Sequence, residues 1–425
     1  MNQRPDQPDT GAAPEKSADQ TSRVGRRQIL GGAGLLGFGV AAGAVAATLT
    51  HTPSAIDRQH SAALAARGFA GAHQPGIADR APAHLLFTAF DLPVDTPVAT
   101  HDGLRSLLRA WSDTATTLMT GNSADNHHLA AGLGPAGLVI TIGLGASALA
   151  KAGLDTDIPQ ALEPLPAFPG DALDPAHGAG DLGLQVCAED PVIAFAATHA
   201  MTATAASTFG ARPRWSQRGF LRTAAAADQP DATPRNLMGQ IDGTDNPIPG
   251  DGAFEQAVWA SDPAWMCGGT YLVCRRIRML LDRWEQQSIH TQERIIGRTK
   301  DTGAPLSGGT EHTPPDFTRR DNTGNALIPA NAHIRLTHPD LTGGVRMLRR
   351  GYSYDDGYDP TGQQDVGLFF QAFQANPHTA FVPAQRRLAE LDALTPFIRH
   401  ESSAVFAIPP GTQPGGYIGE HLLAG

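Results

Sequence analysis

Apolar positions along the chain follow two rhythms, short stretches of β-type composition and longer stretches with a three- and four-residue spacing. His84–Asp91 (HLLFTAFD) has strand composition and opens a first sheet. Residues 103–118 carry apolar side chains at helical spacing, and residues 138–142 form a short apolar strand. Leu182–Ala188 reads as a third strand, and Pro191–Phe209 as a helix with proline at its start. A stretch rich in Ala, Asp and Pro follows at 224–234, and the order of elements then recurs. The recurrence is a strand at 269–279, a helix at 280–288, a strand at 367–373, a helix at 388–398 and a strand at Ala404–Ile408. Twice-repeated strands and helices predict an α+β chain of two sandwiches, spanning 48–225 and 226–425. The pattern does not give the strand order.

The first 25 residues are polar and read as a disordered leader. Arg26-Arg27 then precedes an uncharged run to Leu49. The run is long enough to span a bilayer, so a retained anchor is one reading. Its Gly and Ala content makes it weakly hydrophobic, and Ala44-Val45-Ala46 is a small-x-small cleavage site. Adjacent arginines before such a run form a twin-arginine signal. The expectation is a signal peptide over 1–47 and export by the twin-arginine translocase, which carries folded proteins. The destination is extracellular, periplasmic or elsewhere in the cell envelope.

Composition narrows the classes. A chain of 425 residues with 41% hydrophobic and 17% charged residues supports packed cores. A net charge of −10 argues against a nucleic-acid surface. Three cysteines, Cys187, Cys267 and Cys274, cannot build a disulfide scaffold. Gly143-Leu-Gly-Ala-Ser-Ala148 fits a dinucleotide-binding turn after a strand. The strand that fold needs next is interrupted by Pro159, Pro164, Pro166 and Pro169, which argues against it.

Two stretches carry candidate chemistry. Residues 331–354 (NAHIRLTHPDLTGGVRMLRRGYSY) offer His333, His338, Arg346, Arg349 and Arg350. A neutral imidazole can ligate a metal, and a nearby guanidinium can stabilise negative charge on what the metal activates. Residues 239–247 (GQIDGTDNP) set Asp242 in a segment of turn-forming pairs. Each alone reads as an ordinary turn. Together, G-x-x-D-G, then H-x-R, then LRRGYSY resemble the dye-decolourising peroxidase family. Residues 293–306 (ERIIGRTKDTGAPL), 367–374 (GLFFQAFQ) and 403–411 (SAVFAIPPG) resemble it too.

The resemblance implies two ferredoxin-like domains with antiparallel sheets, the second holding one haem b. No C-x-x-C-H is present, so the haem would be held non-covalently. It implies His333 as axial ligand, with Arg335 completing the triplet. His338, ahead of Pro339 in a turn, is the rival and is expected to be exposed. It implies Asp242 as the acid–base residue and Arg349 as the charge stabiliser for peroxide cleavage. Gly243, Thr244 and Asp245 would run along the haem edge, and Leu368 and Phe370 would keep the pocket dry. Asp392, read on an apolar helix face, is either a surface charge or the acceptor of the other His333 ring N–H. The implied activity is reduction of hydrogen peroxide with oxidation of small or bulky aromatic donors. The alternative is a haem-handling, iron-releasing component of an iron-uptake system, with a permease or a copper-linked partner. An oligomer is compatible with either. Any of Trp111, Trp215, Trp259, Trp265, Trp284, Tyr352 and Tyr354 could relay electrons, and the sequence does not choose among them.

Overall fold

A computed structural model describes residues 61–121, 128–130, 132–222 and 232–424. Residues 1–47, where a leader and signal are expected, and most of the 224–234 stretch lie outside the described residues.

In the first half, β1 (His84–Asp91), β2 (Val139–Leu144), β3 (Leu182–Ala188) and β4 (Arg212–Phe220) pair antiparallel in the order β4-β1-β3-β2. Helix α1 (His101–Met119) lies between β1 and β2, and α2 (Pro191–Phe209) between β3 and β4. This element order and strand order make a ferredoxin-like unit. Both helices start on side-chain caps: the Thr100 hydroxyl accepts from Gly103 N–H, and the Asp190 carboxylate accepts from Val192 and Ile193 N–H. Trp111 of α1 meets Phe90 of β1 edge-on at 5.4 Å and donates its indole N–H to Met201 of α2 at 2.9 Å. Side chains thus fill the space between this sheet and its helices.

The second half repeats the plan. Its strands are β5 (Thr270–Met279), β6 (Leu348–Arg349), β7 (Tyr352–Tyr358), β8 (Gln364–Gln374), β9 (Ile398–His400) and β10 (Ala404–Ile408). The main order is β7-β8-β5-β10, the first half's order again; β6 extends the pairing on β8 and β9 pairs with the end of β5. Single bridges, Phe220↔Ser353 and Leu144↔Ala407, join the two sheets at both edges. The sheets face each other through Phe87, which lies 5.5 Å from Phe369 and 5.7 Å from Phe406. Such aromatic pairs stabilise by about 1 kcal/mol beyond their area burial.

Several elements differ from the sequence pattern. β4 was not expected: its residues RPRWSQRGF are mostly polar, yet every second one from Trp215 is buried, as an amphipathic strand requires. The helix expected at 280–288 is a single turn, Leu281–Glu285, and a second helix, α3 (Ile289–Ile296), begins after a Ser288 cap. The helix expected at 388–398 instead covers Phe381–Leu391, here α5. Pro383 disguises its start, but it falls in the first turn, where an N–H has no helical partner to lose. Between α3 and α5 lies the short helix α4 (His333–Thr337). Gly143 and Gly145 are packing glycines, since a Cβ at Gly143 would meet Phe406 and Ile408 at under 3 Å and one at Gly145 would strike the Gly180 carbonyl. Cys267 precedes β5 and is exposed, whereas Cys187 and Cys274 are buried, and all three are free thiols.

Candidate active site

A cavity opens between the outer face of the second sheet and helices α4 and α5. Ile277 and Met279 of β5 floor it together with Leu368 and Phe370 of β8, and Ile277 is in register with Leu368. Strand periodicity puts these alternate residues on one face. Ala384 and Leu388 of α5 form the opposite wall. Leu368 and Phe370 therefore line the cavity, as the sequence predicts.

His333 is the first residue of α4, and its Nδ1 lies 2.6 Å from Asp392 Oδ2. Asp392 is not on a helix face: it is the residue after α5, in extended conformation, with only 3% of its side chain exposed. The chain turns there because Ala393 N–H bonds the Asn331 carbonyl and Leu394 N–H bonds Asp392 Oδ1. One carboxylate oxygen is held by the backbone and the other is left for His333. Nδ1–H donates to this carboxylate, so the lone pair of the neutral ring is at Nε2. Burial pushes the His333 imidazolium down, but the Asp392 charge and hydrogen bond outweigh it and hold the pKa above its ordinary value.

Asp242 and Arg349 stand at the same cavity, Oδ1 to Nη1 at 3.8 Å. That is beyond hydrogen-bond range, so each keeps capacity for a third group between them. Asp242 N–H bonds the Pro234 carbonyl, and Asn236 Nδ2 reaches Asp242 Oδ2 at 3.4 Å. Gly243 follows with φ 120°, a conformation closed to side-chain-bearing residues. Arg349 is fixed by Asn246: Oδ1 accepts from the Arg349 N–H at 3.1 Å and Nε at 3.3 Å, and Nδ2 donates to the Arg349 carbonyl at 2.8 Å. Thr244 donates to Glu311 Oε1 at 2.9 Å, and Asp245 lies 3.8 Å from Arg346. Gly243, Thr244 and Asp245 border the cavity.

The family models for the DyP-type peroxidase N-terminal and C-terminal regions match residues 74–221 and 233–413. A dye-decolorizing peroxidase of Thermobifida fusca (strain YX) is 44% identical, covering 97% of this chain and 99% of that protein. The chain belongs to the DyP-type peroxidase family. A deferrochelatase of Escherichia coli (strain K12) is 33% identical over 84% of this chain and 86% of its own length. Among solved structures, DtpA from Streptomyces lividans, as an oxyferrous complex, superposes with TM-score 0.82 at 45% identity, covering 86% of this chain and 99% of that one. The DyP-type peroxidase from Cellulomonas bogoriensis gives TM-score 0.79 at 38% identity, with coverage of 85% and 99%.

The residues of this peroxidase fit a haem. Among the described residues no three His, Cys, Asp or Glu side chains gather as a metal cluster. An iron at His333 Nε2 therefore needs its remaining ligands from a macrocycle. The slot between Ile277, Leu368 and Leu388 suits a flat apolar ring, and Arg298 and Arg349 at its border suit carboxylates. Gln240 also borders the slot, and its Nε2 is buried without a partner.

His338 is not exposed as expected. It borders the cavity with 16% of its side chain open, packs edge-on to Phe317 at 5.0 Å, and caps the short helix Pro339–Thr342. Its Nδ1 accepts from Asp340 N–H at 3.3 Å, which distinguishes it from His333 with its buried carboxylate. Arg335 points elsewhere, to the Phe317 carbonyl at 2.9 Å. Sequence reasoning missed Asn246, which looked like part of an Asn-Pro turn, and Arg298, which bonds the Gly303 and Glu311 carbonyls. An amide beside a candidate catalytic acid was the available signal for Asn246. Of the tryptophans, Trp259 alone is half-buried, stacked on His73 at 3.7 Å; the other four are buried.

Proposed function

We propose that this peroxidase binds one haem b non-covalently on His333 and reduces hydrogen peroxide at the Asp242–Arg349 side, with aromatic molecules as electron donors. The observation that carries the reading is one cavity with two differently built polar sites: His333 backed by a buried carboxylate, and an acid facing an arginine at 3.8 Å without a hydrogen bond between them. When bound, haem supplies the iron that takes peroxide and the electrons for O–O cleavage. Asp242 Oδ1 would accept a proton from one peroxide oxygen and return it to the other, which leaves as water. The Arg349 guanidinium would stabilise negative charge building on the departing oxygen. Asn246 would keep Arg349 aimed, and Asp392 would make the His333 ligand more anionic. Leu368 and Phe370 would exclude water. The test is an absorption spectrum of haem-loaded protein mixed with one equivalent of peroxide. A Soret band that shifts to a new stable position supports turnover, and one that only bleaches speaks against it.

The deferrochelatase relatives favour a second reading, release of iron from haem within an iron-uptake system alongside a permease. Recovery of metal-free porphyrin from loaded protein would support it. For location, Arg26-Arg27 with the uncharged run and Ala44-x-Ala46 support export by the twin-arginine route, with a mature chain starting near Ala47. Replacing both arginines by lysine should hold the precursor in the cytoplasm, and normal export of that variant would count against the route.

A further inference from the structure

Asp242 and Arg349 are not the only acid–arginine pair across this cavity. Asp245 lies three residues after Asp242, and Arg346 three residues before Arg349, and these also stand 3.8 Å apart. The loop carrying the acids and the segment carrying the arginines therefore run antiparallel, with two charge rungs between them. The Asn246 amide locks the two segments together at Arg349. The rungs differ in depth. The inner pair keeps 31% and 32% of its side-chain surface, whereas Arg346 keeps 36% and Asp245 50%. Exposed Gly343 and Gly344, both at positive φ, lead the chain up to Val345 and Arg346 at the cavity border. Each rung pairs one acid with one arginine, so its own charges balance.

Resting on the haem reading above, we propose that the Asp245–Arg346 rung is a charge-selecting gate at the cavity mouth. The balanced pair lets neutral molecules, hydrogen peroxide and uncharged aromatic donors, pass to the inner rung. It also keeps Arg349 from collecting small anions. Both side chains are near the surface, so the pair adds little stability. Its effect is on the field along the entry path, where one unbalanced charge changes the local concentration of an ion. Asp245→Asn uncovers Arg346 and should attract anions. Arg346→Gln uncovers Asp245 and should repel them.

The test uses haem-loaded protein in mildly alkaline, low-salt solution with two small iron ligands, azide as an anion and hydrogen cyanide as a neutral molecule. Association is followed by the shift of the Soret band. Azide should bind roughly three- to tenfold faster to Asp245→Asn and slower by a similar factor to Arg346→Gln, with the double variant near wild type. Hydrogen cyanide carries no charge and should change by less than about twofold, and added salt should shrink the azide differences. The gate is overturned if both single variants move azide in the same direction, which marks a steric effect. It is also overturned if cyanide moves as much as azide. Absence of any Soret band would overturn the haem reading and the gate with it, whereas a normal Soret band with charge-blind azide binding overturns the gate alone.

Discussion

The two halves share one plan and differ in what lies between sheet and helices. In the first, residues 92–138 join β1 to β2 mainly through α1, and Trp111, Leu104, Leu107 and Leu108 fill the layer beneath it. In the second, residues 280–347 lead from β5 to β6 through short helices and loops, and the matching layer is the cavity. The polar interior is distributed in the same way. Among the described residues, every buried side-chain atom without a hydrogen-bond partner belongs to residue 240 or later, except Asp171 Oδ2, whose partner oxygen holds Arg275. Native cores leave few such atoms, and each calls for a physical explanation. One fold thus serves once as filled support and once as a container; Gln240, Arg275 and His400 carry unpartnered polar atoms at the cavity, whereas Arg350 and Gln371 reach across to the first half.

The sharpest way to break this comparison is to remove the group that ties the container to its contents. His333→Ala should lose the Soret band of the loaded protein, while His338→Ala should keep it, because only His333 is hydrogen-bonded to a buried carboxylate; the Asp340 carboxylate beside His338 is exposed. Reversed outcomes would move the ligand to His338. Next in size is a mutation in the filled half. Trp111→Ala removes a fully buried indole and its bond to Met201, and should cost about 3–5 kcal/mol in chemical unfolding. Haem affinity of the folded fraction should stay near wild type. Loss of haem binding from a correctly folded variant would show that the halves are not independent in this sense.

At the reacting side the effects are kinetic. Asp242→Asn and Arg349→Leu should each slow the reaction with peroxide by ~10²-fold, as removal of a preorganised charge does. The double variant should be less than additive if both serve one step. Stopped-flow mixing reads this, and a wild-type rate for Asp242→Asn would leave Arg349 and water as the cleaving groups. Smaller again is Asp392→Asn, which keeps the shape but removes the charge behind His333. It should weaken haem binding by roughly 10–100-fold, the usual cost of losing a ligand's backing group, and raise the reduction potential. An unchanged potential would reduce Asp392 to a loop fastener.

How much of this was legible in the sequence depends on how local each signal is. β1, β3, α2 and β10 could be read because their own residues declare them through apolar runs and a proline start. β4 could not, because its burial depends on the facing sheet; Trp215 makes sense only against Phe87 and Phe369. The candidate residues His333, Asp242 and Arg349 came from spaced motifs and do meet at one cavity. The position of Asp392 was misread because a Leu-rich pattern continued past the end of α5, where backbone bonds to Asn331 turn the chain. Asn246 and the outer charge rung depend on two segments a hundred residues apart, and no local pattern reports that.

The finest test concerns His400, a partly buried polar group that lines the cavity. Its Nδ1 is buried without a partner, and its Nε2 meets Gln385 at 3.4 Å. Burial, with Arg275 nearby, lowers its pKa to about 3. The ring is therefore neutral in the folded protein across the ordinary range, while in the unfolded chain it takes up a proton below roughly pH 6.5. The unfolded state then binds more protons, so stability is greatest above that pH and falls as pH drops toward the folded value. The slope contributed by this one group is at most about 1.4 kcal/mol per pH unit. His400→Asn removes the titration and keeps a polar side chain. Chemical unfolding of haem-free protein at stepwise lower pH should lose stability less steeply in the variant, with the curves converging above neutrality apart from a constant offset. Parallel curves throughout would mean that His400 is hydrated and titrates normally. In that case the polar groups around the cavity are already satisfied by water, and the contrast between the halves is one of volume alone.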